Sequence, residues 1–158
     1  MEFKDIVAMR HSVRNFSDKP VEREIIDEII MEAMSAPSSK NTRSTGFMII
    51  EDKTILEEIS RMRESGSAFV KDAAAAIVVL GDSAKTDLWV DNAAISTTFL
   101  MLSAVDKGLG SCWVHVNGRP RSKSDPSKGT ADDYLRDLLG IKDNMKVLCV
   151  LAIGYEAE

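Results

Sequence analysis

The stretch from Asp87 to Lys107 constrains this chain more than any other. It is apolar almost all the way round, so it predicts a long helix whose surface exceeds what one face of a small sheet can cover. Such a helix is buried centrally or packed against a second subunit. It does not span a membrane. Its most apolar part, from Asn92 to Val105, is broken by Ser96, Thr97, Thr98 and Ser103 and bounded by Asp91 and Asp106, short of about 20 apolar residues. Gly108 stands where a left-handed cap is expected to end it.

The rest of the chain supplies the partners of that helix. Phe3, Ile6, Val7 and Met9 predict a short helix ending near the basic cluster Arg10, His11, Arg14. After Pro20, apolar residues from Val21 to Met34 recur at helical spacing and stop near Ala36-Pro37. Residues 38–46 are small and polar and read as a loop. Phe47–Ile50 reads as a buried strand, followed by a helix that Asp52 can cap and that carries Ile55, Leu56, Ile59 and Met62 on one face. Ala74–Leu80 is a second strand, Gly110–Val116 a third and Val147–Gly154 a fourth. Between the last two, Asn117–Gly129 reads as a Gly/Pro/Ser/basic loop whose Arg119–Lys123 part is expected to be mobile, and Thr130-Ala131-Asp132-Asp133 opens a helix running through Leu138-Leu139-Gly140. No repeat or linker divides residues 1–158, so the expectation is a single α+β domain.

Composition narrows the function classes. At 158 residues, 44% hydrophobic and 28% charged, the chain can bury about two thirds of its surface. With 20 Lys and Arg against 25 Asp and Glu, the net charge is -5. That gives no global field for nucleic acid or anionic lipid, so any anion site must be local. Cys112 and Cys149 lie in apolar surroundings without a CxxC, and no secretory signal opens the chain, so a reduced cytoplasmic protein is expected. Neither phosphate-loop nor serine-triad motifs occur. His11 and His115 have no carboxylate at ligand spacing, so no metal site is expected.

Arg10-His11-Ser12-Val13-Arg14 places two guanidinium groups and a hydroxyl within five residues, a set that suits a monophosphate. The alternative is a solvated patch paired with Asp5 or Asp18. Pro37-Ser38-Ser39-Lys40-Asn41 offers hydroxyls and amides suited to a polar ring edge, although such residues also form ordinary loops.

The run Arg10-His11-Ser12-Val13-Arg14-Asn15-Phe16 resembles the opening motif of the FMN-dependent nitroreductase family. Ala36-Pro37-Ser38-Ser39-Lys40-Asn41 is similar to its A-P-S-x-x-N loop. Asp91–Ser96, Gly108–Trp113, Leu138–Ile141 and Ala152–Tyr155 follow in the family's order. The resemblance implies a three-layer fold with a mostly antiparallel central sheet, flanking helices, and an intertwined homodimer holding two FMN molecules at its interface. Carried onto this chain, Arg10, Ser12 and Arg14 would hold the FMN phosphate and the polar edge of its ring. Ser38, Ser39 and Asn41 would reach the flavin of the partner subunit, and Trp113-Val114-His115-Val116 would lie along the ring with backbone amides near N5 and O4. His11, Pro37 and Arg43 complete the implied cofactor-binding set.

Two departures stand out. Members continue the loop as N-x-Q-P-W, whereas Asn41 here precedes Thr42-Arg43-Ser44-Thr45. Members also commonly run into a basic tail, while this sequence ends Tyr155-Glu156-Ala157-Glu158. The expected activity is hydride uptake from NADH or NADPH onto FMN, then ping-pong reduction of a small acceptor such as a nitroaromatic or quinone. The alternative reading is a flavin-binding or redox-sensing module with little turnover. The basic segment Arg119–Lys123 is a lesser candidate for receiving an anionic cofactor such as NADPH.

Overall fold

The computed structural model describes residues 1–158. Its elements are α1 (Phe3–Met9), α2 (Arg23–Met34), β1 (Thr45–Ile50), α3 (Lys53–Ser60), β2 (Ala75–Asp82), α4 (Trp89–Asp106), β3 (Gly110–His115), α5 (Ala131–Leu139) and β4 (Met145–Gly154), with short 3₁₀ turns at Ser39–Asn41, Ala68–Asp72 and Pro126–Lys128. The strands form one antiparallel sheet in the order β1-β2-β4-β3. The α+β expectation holds, with all three strand pairings antiparallel.

Alternation along the strands builds a core on each face. Ile77, Val79, Cys149 and Leu151 pack with Ile26 and Ile29 of α2 and with Ala93 and Leu100 of α4. Val78, Leu80, Val114 and Val150 pack with Leu56 and Ile59 of α3 and Leu135 of α5. Because every strand position meets apolar neighbours, β2 and β4 read in sequence as continuous apolar runs. A bulge at Val79/Leu80 offsets the pairing, with Val79 opposite Cys149 and Leu80 opposite Val147. Leu148 and Cys149 thereby both face the α2/α4 side.

Local chemistry sets the ends. Asp52 accepts a hydrogen bond from the Ile55 amide at 3.1 Å, and Thr130 accepts one from the Asp133 amide at 3.1 Å, as the capping patterns predict. Gly108 has φ of 79° and Gly140 of 66°, conformations that cost a side-chain-bearing residue more than glycine. Arg43 holds the end of α2 by donating from Nη1 to the carbonyls of Met34 and Ala36 at 3.0 and 3.1 Å.

The segment Arg119–Lys123 departs from the expected mobile loop. The Arg121 guanidinium lies 3.9 Å above the Tyr134 ring and donates to the Arg61 carbonyl. Ser122 Oγ and the Lys123 amide both donate to the Glu64 carboxylate. These ties dock the segment on the turn after α3, which is why its polar composition is misleading.

Candidate functional site

The site begins at the outer edge of β3. This strand pairs with β4 on one side only, and the Val13 amide donates to the Ser111 carbonyl at 2.9 Å on the other. Ser111 therefore turns its backbone outward. Antiparallel alternation then points the backbone groups of Trp113 and His115 to the same open edge, while Val116 donates inward to Leu148. A bare strand edge with outward amides can bind the polar rim of a planar ligand.

Beside the start of that edge runs the Arg10–Arg14 segment, bridged in parallel through Ser12 and Ser111. Gly110 permits the approach, since a Cβ there would lie 2.6 Å from Val13 Cγ2. Arg10 and Arg14 are exposed, and neither forms an ion pair with Asp5 or Asp18. Two unpaired cations and the Ser12 hydroxyl are the kind of donor set that can hold an anion locally on an acidic protein. From Ser111 to His115 the edge extends about 13 Å at 3.3 Å per residue.

His11 is engaged elsewhere. Its Nδ1 lies 3.0 Å from the Met9 carbonyl and its Nε2 3.2 Å from Glu156, and these partners raise its pKa. Trp113 and His115 share the far end of the edge, with the indole Nε1 donating to His115 Nδ1 at 3.1 Å. Burial, then Arg119 and Arg63, lowers the His115 pKa. Cys112, beside Ser12 and Arg14, has its thiol pushed up chiefly by burial. Cys149 is pushed up to about 12 by burial, so it serves the core and is no nucleophile.

A second cluster lies on the loop after Pro37. Lys40, Asn41 and Arg43 have φ of 48°, 55° and 50°, left-handed conformations that cost non-glycine residues about 1–3 kcal/mol each. Asn92, 2% exposed on α4, holds this backbone. Its Oδ1 accepts from the Ser39 amide at 2.9 Å, and its Nδ2 donates to Ser39 Oγ at 3.0 Å, Thr42 Oγ1 at 3.3 Å and Ser44 Oγ at 3.0 Å. Ser38 Oγ accepts from the Arg43 amide at 3.1 Å. Behind the loop, Ser38, Arg43, Thr45, Phe47 and Ser96 line a cleft of about 320 Å³. The signal for Asn92 in the sequence is one buried-type amide on an apolar helix; its partners, 48 to 53 residues away, are invisible there.

Within one chain the two clusters do not meet. The loop docks at Asn92 near the start of α4, whereas Met9, His11 and Val13 share a crevice with Val105 at its end. From residue 92 to 105 an α-helix rises about 20 Å.

A family model described as the nitroreductase family matches residues 7–65 and 57–155. The chain belongs to the nitroreductase family. A solved FMN-dependent nitroreductase from Clostridium difficile superposes with a TM-score of 0.91 at 36% identity, over 97% of this chain and 87% of that one. A protein of Archaeoglobus fulgidus, provisionally named NADH dehydrogenase/NAD(P)H nitroreductase, is 33% identical over 97% of this chain and 84% of its own. One of the same name from Methanothermobacter thermautotrophicus is 31% identical over 100% of this chain and 79% of its own. Within the nitroreductase frame, the departure at Thr42-Arg43-Ser44-Thr45 acquires a physical account. Arg43 caps α2, and Thr42 and Ser44 receive Asn92, so the loop is braced internally without the family's Gln-Pro-Trp.

Proposed function

We propose that this nitroreductase is an FMN-dependent oxidoreductase that takes a hydride from NADH or NADPH and reduces a small acceptor, such as a nitroaromatic or quinone, in a ping-pong cycle. One observation carries the reading: an open strand edge with outward amides, flanked at one end by two unpaired arginines and a serine. That donor set fits FMN, a planar ring with acceptor atoms on its rim and a dianionic phosphate at the end of its side chain. FMN, when bound, supplies the hydride and electron chemistry.

The chain's own residues bind and polarise. Arg10, Ser12 and Arg14 hold the phosphate and the adjoining ring edge by charge-assisted hydrogen bonds. The amides of Trp113 and His115 face the ring's rim, where fixed donors favour developing negative charge without reorganisation. Ser39 is committed to Asn92 through both its amide and its hydroxyl, and Ser38 Oγ accepts from the Arg43 amide, which leaves the Ser38 hydroxyl proton and the Asn41 side chain to serve a ring held by a partner subunit. The roughly 20 Å between the clusters in one chain supports a site completed by a homodimer.

The test is direct. The purified protein should be yellow and release FMN on heating. Anaerobic NADPH or NADH should bleach the bound flavin, and a nitroaromatic or quinone should restore its colour. A colourless protein that takes up no added FMN removes the reading; bound FMN that stays unbleached over minutes makes the protein a flavin-binding module.

A further inference from the structure

Backbone amides alone can serve the rim of a ring at this edge, yet the residue that ends the edge also carries an imidazole. Trp113 and His115 stand two apart on β3, on one face of the strand. Their rings are stacked at 25° with centroids 6.1 Å apart, and the indole Nε1 lies 3.1 Å from His115 Nδ1. An indole N–H can only donate, so Nδ1 must be the acceptor. The single proton of the neutral imidazole then sits on Nε2. A second proton would set N–H against N–H at Nδ1, so the same contact disfavours the cation.

We propose that His115 is a further hydrogen-bond donor of the flavin site, held by Trp113 as the neutral Nε2–H tautomer and directed at the ring edge that gains negative charge on reduction. The proposal rests on the functional reading above, because it takes the open edge of β3 to face the ring. His115 touches the cofactor; Trp113 acts through it and is a positioning residue. The charged groups around the imidazole agree with a neutral ring. Arg63, on the turn after α3, and Arg119, on the segment after β3, both oppose its protonation and add to the effect of burial, against a smaller opposing effect of the Asn117 backbone. A ring locked in this tautomer always presents Nε2–H to the site, whereas an unconstrained neutral imidazole also populates the Nδ1–H form, whose Nε2 can only accept.

Two measurements test it. Two-bond proton–nitrogen NMR of the purified protein at pH 7 should show His115 as the Nε2–H tautomer, and Trp113→Phe should release the ring to a mixture of tautomers. The ratio of affinities for reduced over oxidised FMN, taken from the shift in flavin reduction potential on binding, should fall about fivefold to tenfold in His115→Phe. That variant keeps an aromatic ring against Trp113 but has no N–H, and His115→Gln, which restores an N–H donor, should recover most of the ratio. A resting Nδ1–H or cationic His115, or an unchanged ratio in His115→Phe with FMN bound, overturns the proposal and leaves the functional reading standing. A protein that binds no FMN overturns both.

Discussion

Arg10 projects from a segment pinned to β3 by the Val13–Ser111 hydrogen bond, and no carboxylate competes for its guanidinium. Arg10→Ala should therefore lose a charge-assisted phosphate contact of about 1.5–3 kcal/mol, or roughly 10- to 150-fold in FMN affinity. Riboflavin, which has no phosphate, should bind the wild type weakly and lose little more in the variant; equal losses for both ligands would assign Arg10 to the fold or the ring. Asn92 is a different kind of residue, because it keeps three left-handed residues in place through four hydrogen bonds. Asn92→Leu strands the Ser39 amide and should cost about 1–3 kcal/mol in urea unfolding, with faster proteolysis at Lys40 or Arg43 as the local sign. Unfolding without any added loop cleavage would place the loss in the α4 core instead. The cation cluster is legible in sequence because its members are near neighbours. The service of Ser39 and Arg43 to the loop is not, because a polar loop residue reads the same whether it faces a ligand or its own backbone.

Helices α2 and α4 meet through a polar clamp at the edge of their apolar contact. Glu32 accepts from Lys107 Nζ at 2.7 Å and from Ser103 Oγ at 2.6 Å, and these bonds, Lys107 first, hold its carboxyl below its ordinary value of 4.5. A carboxyl more acidic in the folded chain stabilises fully above its unfolded value and loses that contribution as pH falls through the folded one. Glu32→Gln should therefore lower stability at pH 7, by less than about 1 kcal/mol since Glu32 is half exposed. The gap from wild type should close as urea titrations are carried below pH 4.5; a gap constant with pH would mean packing rather than charge. At this scale the sequence is nearly sufficient. Apolar periodicity, Asp52, Thr130 and Gly108 mark the elements within a few residues, since each signal acts within one or two turns. The strand order β1-β2-β4-β3 and the bulge at Val79/Leu80 depend on pairings between distant segments, which no local pattern encodes. The docking of Arg121 on Tyr134 escaped for the same reason.

Helix α4 lies on the sheet with its polarity inverted. Its buried positions include Asn92, Ser96, Thr97 and Ser103, of which Asn92 bonds the Ser39–Ser44 loop, Thr97 the Ala93 carbonyl and Ser103 the Glu32 carboxylate, while Ile95 and Phe99 remain 39% and 37% exposed. Met31 and Met34 on α2 are 70% and 61% exposed, and Phe3, Val7 and Met9 leave most of α1 apolar and open. A solvated helix normally does the reverse, so the outer face of α4 fits a second copy of this chain better than water. A two-fold contact there would be isologous, and it would bring the Ser38–Asn41 loop of one chain toward the β3 edge of the other, closing the separation that each chain shows alone. Sedimentation at micromolar concentration should give a dimer. Ile95→Lys with Phe99→Lys places two charges on that face and should give a folded monomer that has lost FMN, although neither residue lies on the Arg10–Arg14 segment or the β3 edge. Serial dilution of the wild type should release FMN in step with dissociation of the dimer, because each site then needs residues from both chains. FMN held undiminished by the Lys variant as a monomer would show that one chain builds the whole site, and would remove the dimer from the functional reading.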